Sequence, residues 1–146
     1  THPPIMKNDG PIKVAIADDH ALFRTGIKTA LQIRKDIQMV AEAENGMQLL
    51  NLLKHIQPDV ILLDIQMPVM DGLTASKELR KRYSAQQMPI IAMTAHAMSG
   101  DREKSLAAGM NAHITKPIVL NELFDTLSYW IEYKITGMQL DRFRTK

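Results

Sequence analysis

Five side chains suited to charge and proton chemistry stand at the ends of apolar runs. Asp18 and Asp19 close "IKVAIADD", Asp64 closes "DVILLD", Thr94 closes "PIIAMT" and Lys116 follows "AHIT". A carboxylate directly after an unbroken apolar run is costly to desolvate unless something offsets it, and three of them brought together would repel one another. A divalent cation is the natural remedy. Oxygen donors suit Mg2+ or Mn2+, and Mg2+ in particular prefers a few carboxylates together with waters and phosphate oxygens. Lys116 adds a second cation and Thr94 a hydroxyl. Together these parts fit a phosphoryl group attached to, or passing through, a carboxylate oxygen, with Asp64 attacking in line while the cations offset the phosphoryl charge.

Such a site requires elements that bring the five residues together. Apolar, β-branched runs recur at 12–17 ("IKVAIA"), 39–43 ("MVAEA"), 59–64 ("DVILLD"), 89–94 ("PIIAMT") and 112–116 ("AHITK"), each followed by a helix-length segment. Phe23, Ile27, Ala30 and Leu31 make one apolar helical face; Leu49, Leu53 and Ile56 make a second, and Leu120, Leu123, Phe124, Leu127 and Ile131 a third. Segments 73–82, with Leu73 and Leu79, and 97–108, with Met98 and Leu106, read as more polar helices. Gly109 stops the latter, and Gly46 and Gly72 allow turns at strand-to-helix junctions. Five βα units imply an α/β fold, a doubly wound five-stranded parallel sheet with helices on both faces. In such sheets ligands bind beyond the carboxyl ends of the strands, which is where the five residues stand. Taken singly, Asp18 or Asp71 could be a helix cap or turn residue, Lys116 a solvated lysine and Thr94 an ordinary strand residue. Joint occurrence at four strand ends favours the site, and Asp71 stays a turn residue before Gly72.

The bulk composition narrows the classes. The 146 residues fit one domain, 45% are hydrophobic and 23% charged, and the net charge of +2 gives no reason to expect contact with nucleic acid or an anionic membrane. There is no cysteine, so a disulfide framework and thiolate metal sites are excluded and a reducing, cytoplasmic setting is acceptable. No apolar run approaches the ~20 residues of a membrane-spanning helix. The segment 1–11, "THPPIMKNDGP", reads as a flexible leader, residues 12–133 as the domain, and 134–146, with Gly137 and mixed charges, as a linker or tail.

The residues "IADDH" (16–20), "LLDIQMPVMDG" (62–72), "AMTAHA" (92–97) and "ITKPI" (114–118) resemble the receiver domain of two-component response regulators. The similarity runs from about residue 12 to residue 132. The N-terminal half, with "VAIADDHALFRTGIKTAL", is similar to receivers of helix-turn-helix regulators. The C-terminal half, with "PIIAMTAHAMSGDREKSLAAGMNAHITKPI", is similar to receivers of hybrid histidine kinases, and a chimera of two receivers is one explanation.

The resemblance implies a flavodoxin-like (βα)5 fold with strand order 2-1-3-4-5. It implies Asp64 as phosphoacceptor, Asp19 as a direct metal ligand, Asp18 as a ligand through water, and the backbone carbonyl of Gln66 as the last protein ligand. Thr94 would swing toward the phosphoryl oxygens and Lys116 would pair with them. Pro117 would follow a cis peptide bond, Ala95 would leave the phosphoryl group room, and Gln66 and His96 would flank it; His96 equally fits an exposed first-turn residue. His113 stands where the family often has a Tyr or Phe switch; a titratable switch and a part-exposed strand histidine are both open readings. The expected donor is a sensor histidine kinase or histidine phosphotransfer protein, and the expected output surface is the fourth helix, fifth strand and fifth helix. The resemblance also allows a phosphorylation-dependent homodimer. The domain would catalyse only its own phosphorylation and dephosphorylation and would not be an enzyme in the multiple-turnover sense.

Two other classes compare poorly. A haloacid-dehalogenase-type phosphatase wants a second Asp two residues after the nucleophile, where Gln66 stands. A flavodoxin-like FMN module wants a Ser/Thr/Gly-rich first loop, where "ADDHALFRTG" begins with two acids.

Overall fold

The computed structural model describes residues 10–95 and 99–144. In chain order the elements are β1 (Ile12–Ala17), α1 (Ala21–Gln32), β2 (Ile37–Ala43), α2 (Gly46–Leu52), β3 (Val60–Asp64), α3 (Gly72–Arg80), β4 (Ile90–Thr94), α4 (Ser99–Ala107), β5 (Ala112–Thr115) and α5 (Leu120–Arg144). All strand pairs are parallel and the order is β2-β1-β3-β4-β5, as expected. Among the described residues no helix is long and apolar enough to cross a membrane.

The inner strands β1, β3 and β4 are buried on both faces, so they read as apolar runs, yet their side chains still alternate between two cores. Ile61 and Leu63 of β3 join Leu49, Leu53, Ala75, Leu79 and Met110 on the face covered by α2 and α3. Val60 and Leu62 point the other way, to Ile27 and Leu31 of α1 and Leu123, Leu127 and Ile131 of α5. Two expected apolar contacts are absent. Leu106 of α4 and Leu120 of α5 are exposed, while Ser105 of α4 and Ala108 directly after it are buried. Ser105 tolerates burial because its hydroxyl donates to the carbonyl of Asp101 at 2.9 Å, the back-bond that shields a helical serine from desolvation cost.

Two glycines act differently from each other. Gly109, with φ +90°, takes the positive-φ position after α4 as expected. Gly72 is the first residue of α3, and a Cβ there would stand 2.1 Å from the carbonyl oxygen of Asp64. Its role is close approach of α3 to the end of β3 rather than a special φ. Asp71 is the N-cap of α3, its side chain accepting from the Thr74 N–H at 2.8 Å.

Arg80 ties α3 to the loop before β4 and the loop after α4. Its guanidinium donates to the carbonyls of Gly109 (2.7 Å) and Met88 (2.8 Å) and to Asn111 Oδ1 (2.7 Å). Burial draws its pKa down to about 10, so it remains charged near neutral pH.

The chain does not break at residue 133. Helix α5 runs to Arg144, and Lys134 Nζ reaches the Asp59 carbonyl (3.2 Å) and carboxylate (3.6 Å) at the start of β3. Gln86 donates to the Tyr133 carbonyl at 3.0 Å and fills the space a Cβ at Gly137 would need. Gly137 is therefore a packing contact inside a helix and not the mark of a linker, and residues 134–137 pack with the rest of the fold.

Candidate functional site

Topology assembles the site. Strand β1 lies between β2 and β3, so the chain reverses its direction of travel across the sheet between β1 and β3 and leaves a crevice at their carboxyl ends. In the β1–β3 register Ala17 is opposite Leu63, which sets the next residues, Asp18 and Asp64, side by side. In the β4–β5 register Thr94 is opposite Thr115, so Lys116 emerges one residue beyond. The peptide bond from Lys116 to Pro117 is cis, as the resemblance implies.

The donor atoms of Asp18, Asp19, His20 and Asp64 all lie within 4.8 Å of one another. Asp18 is fully buried and Asp64 nearly so, with 5% of its surface exposed. Lys116 Nζ is 2.7 Å from Asp18 Oδ2 and 3.5 Å from Asp64 Oδ2, and it also sits 4.3 Å from the centre of the Phe23 ring. The Gln66 N–H donates to Asp64 Oδ1 at 3.3 Å. Burial pushes the Asp64 carboxyl up from its ordinary value, and the Asp18 charge pushes it further; Lys116 and the Gln66 N–H pull it back only in part. The ammonium thus reaches two of the three carboxylates, Asp18 and Asp64. That residual negative charge, built from hard oxygen donors in a partly buried crevice, is the chemistry a divalent cation fits.

The other expected residues are placed less uniformly. Thr94 is buried, and its hydroxyl lies 3.3 Å from Asp101 Oδ2 on α4, so in this arrangement it bonds toward α4. Ala95 is exposed at the mouth of the crevice, as is Gln66. His113 lies on β5 opposite Ala92, half-buried, with its Nε2 buried and without a hydrogen-bond partner. Desolvation lowers its pKa. His96 lies outside the described residues.

Three contributors were not singled out by sequence reasoning. His20 follows the paired acids directly, and its Nδ1 lies 3.2 Å from Asp18 Oδ1 and 3.1 Å from Asp19 Oδ1. Its adjacency to two carboxylates was a readable signal. Arg24, one turn into α1, donates from its guanidinium to the Asp18 carbonyl and fixes the corner that carries the acids. Asp101 has no signal in the sequence, since only the packing of α4 brings it to Thr94.

A family model described as the response regulator receiver domain matches residues 14–128. The chain is 32% identical over 122 residues, 84% of its length, to the nitrate/nitrite response regulator protein NarL of Escherichia coli, of which it covers 56%. The receiver domain of sensor histidine kinase PA1611 from Pseudomonas aeruginosa, solved with a magnesium ion coordinated in its active site cleft, superposes with a TM-score of 0.74 at 33% identity, covering 84% of this chain and 98% of that one. The receiver domain of the Saccharomyces cerevisiae response regulator Ssk1, solved with the histidine phosphotransfer signaling protein Ypd1, gives 0.73 at 29% identity, covering 85% and 91%. The chain spans 7% of the length of the hybrid signal transduction histidine kinase I of Dictyostelium discoideum and 60% of that of the transcriptional regulatory protein DegU of Brevibacillus brevis, both of which it matches. With the fold, the strand-end acids and the matched span in agreement, the chain belongs to the response regulator receiver family, the receiver domains of two-component phosphorelays.

Proposed function

We propose that Asp64 accepts a phosphoryl group from the phosphohistidine of a sensor histidine kinase or histidine phosphotransfer protein. The observation that carries this reading is the environment of Asp64. It is a buried carboxylate at the end of the central strand, held 3.5 Å from Lys116 Nζ and beside Asp18, with its proton affinity raised by burial. In the transfer the donor's P–N bond breaks, an Asp64 oxygen forms the new P–O bond, and the imidazole leaves. Lys116 offsets charge on the phosphoryl oxygens. Asp19 and Asp64, with Asp18 through water and the Gln66 carbonyl, would hold Mg2+ or Mn2+; the bound ion supplies charge stabilisation for the phosphoryl oxygens. Ala95 leaves the entry open.

Thr94 and His113 are the switch in this reading. Phosphorylation replaces the single negative charge of the Asp64 carboxylate with roughly −1.5 to −2 spread over the phosphoryl oxygens, which draws the Thr94 hydroxyl from Asp101 toward the phosphoryl group. The vacated space and the unpartnered Nε2 of His113 then bias α4, β5 and α5 toward a second arrangement that an output partner or a second receiver reads. The domain catalyses only its own phosphorylation and dephosphorylation. A cysteine-free chain suits a reducing compartment such as the cytoplasm.

The test is intact-mass labelling with acetyl phosphate and Mg2+, and with candidate phosphohistidine donors. The wild type should gain one phosphoryl group that Asp64→Asn lacks. Labelling that persists in Asp64→Asn refutes the assignment. Repeated turnover of a phosphate ester would favour a phosphatase instead.

A further inference from the structure

We propose that Asp101 is a positioning residue of the switch: its carboxylate holds the Thr94 hydroxyl in the unphosphorylated protein and accepts from His113 Nε2 once Thr94 turns to the phosphoryl group. The proposal rests on the preceding reading that Thr94 and His113 respond to phosphorylation of Asp64. Three observations carry it. The first is placement. In the β4–β5 register His113 is opposite Ala92 and Thr115 is opposite Thr94. Side chains alternate along a strand, so Thr94, two residues from Ala92, shares a face of the sheet with His113. Asp101, in the first turn of α4, reaches Thr94 from that face, with Oδ2 3.3 Å from the hydroxyl. It also acts on His113: burial lowers the imidazole pKa, the Asp101 charge raises it and the Arg102 charge, also on α4, lowers it. One carboxylate thus faces two switch residues on neighbouring strands.

The second observation is how loosely these groups are satisfied. A hydroxyl bonds a carboxylate at about 2.5–3.0 Å when the bond is strong, so the 3.3 Å contact of Thr94 with Asp101 is one that exchanges readily. His113 Nε2 is buried and has no hydrogen-bond partner among the described residues. Leaving such a donor unpaired is costly, and a bond to the carboxylate removes that cost. When Thr94 leaves Asp101, an acceptor therefore loses a donor close to a donor that lacks an acceptor.

Third, the backbone that carries Asp101 is anchored. Its carbonyl accepts the Ser105 hydroxyl at 2.9 Å, and the residue directly after α4, Ala108, accepts the Ser76 hydroxyl of α3 at 2.7 Å. Asp101 is thus held in place while side chains trade bonds on it. Thr94 O–H passes to a phosphoryl oxygen, and the His113 ring turns so that Nε2–H donates to Asp101. Because a carboxylate stabilises the imidazolium, His113 holds its proton more tightly in the phosphorylated arrangement.

The experiment uses the full 146-residue chain with Mg2+ and beryllofluoride as the phosphoryl mimic. Long-range 1H–15N spectra of the five histidines give ring titration midpoints, and the spectrum of His113→Phe identifies the His113 signals. Beryllofluoride should raise the His113 midpoint by about one pH unit, a tenfold gain in proton affinity. Asp101→Asn keeps an acceptor oxygen for Thr94 but no charge, and should retain less than about half of that rise. In Asp101→Ala the Thr94 hydroxyl is no longer held back, so acetyl phosphate should label Asp64 about threefold faster by intact mass. A gain of this kind is not what loss of a merely structural contact produces. An unmoved midpoint in the wild type overturns the proposal. So does a rise of equal size in Asp101→Asn, which would assign it to the field of the mimic, or labelling of a folded Asp101→Ala that is no faster. If circular dichroism shows Asp101→Ala unfolded, the wild-type midpoint and Asp101→Asn decide. Spectral shifts that require Asp64 but leave the His113 midpoint in place remove the exchange alone. If beryllofluoride shifts nothing, or shifts the spectrum equally in Asp64→Asn, the phosphoacceptor reading falls with it.

Discussion

Lys116 offers the most direct test of the electrostatic account. Replacing it with Met keeps the stem against Phe23 and removes the charge. In the metal-free protein Asp18, fully buried, then loses the ammonium 2.7 Å from its Oδ2, and Asp64 loses the one at 3.5 Å. Removing one partner of a buried, hydrogen-bonded pair costs about 3–5 kcal/mol because the other charge stays behind uncompensated. Losing the cation over the Phe23 ring adds about 0.5–1 kcal/mol. With an unfolding entropy of about 2.1 cal/mol/K per residue over this chain, a combined loss of about 3.5–6 kcal/mol lowers the melting temperature by roughly 11–20 °C. Divalent cations should show the opposite effect. A dication near Nζ is repelled by about 1–2 kcal/mol even in a water-like dielectric, so Lys116→Met should bind Mg2+ about tenfold more tightly. Added Mg2+ then returns part of the lost stability by mass action. Urea unfolding followed by Trp130 fluorescence, with chelator and then with increasing Mg2+ near neutral pH, measures both effects. A metal-free variant within about 1 kcal/mol of wild type, or one that binds Mg2+ no better, would refute the claim that Lys116 offsets the acidic cluster.

Three further outcomes follow from the packing and from His113. Gly72→Ala places a Cβ 2.1 Å from the Asp64 carbonyl oxygen and must displace backbone, so it should cost about 2–3 kcal/mol and slow Asp64 labelling. Gly26→Ala on α1 meets nothing within 4 Å and should stabilise by about 0.5–1 kcal/mol, both read from urea midpoints. Because burial lowers the pKa of His113 from its ordinary 6.5, the unfolded chain takes up that proton first as pH falls. Its contribution is therefore intact above pH 6.5 and lost as pH drops from 6.5 through the lower folded value. His113→Phe should flatten this slope in a pH series of urea midpoints, and an unchanged slope would show that His113 does not titrate between the two states.

The sequence by itself determined the sheet and the gathering of the principal residues. The βα alternation specifies parallel strands, and parallel strands send all their carboxyl ends to one edge, so Asp18, Asp64, Thr94 and Lys116 had to meet there. Residue spacing carries that information because the periods of 2 and 3.6 are local properties of the backbone. Tertiary structure decided which groups pair within the cluster and which helix faces are covered. Nothing local indicates that Lys116 closes on Asp18 more tightly than on Asp64, that Thr94 bonds Asp101 on α4, or that Leu106 and Leu120 stay in water while Ser105 is buried. Nor does it reveal that Gly72 serves close approach to Asp64, or that Gly137 admits Gln86 within a helix continuing past residue 133. Each of these depends on distances of a few ångströms between elements remote in the chain. Those distances arise only when the helices settle onto the sheet.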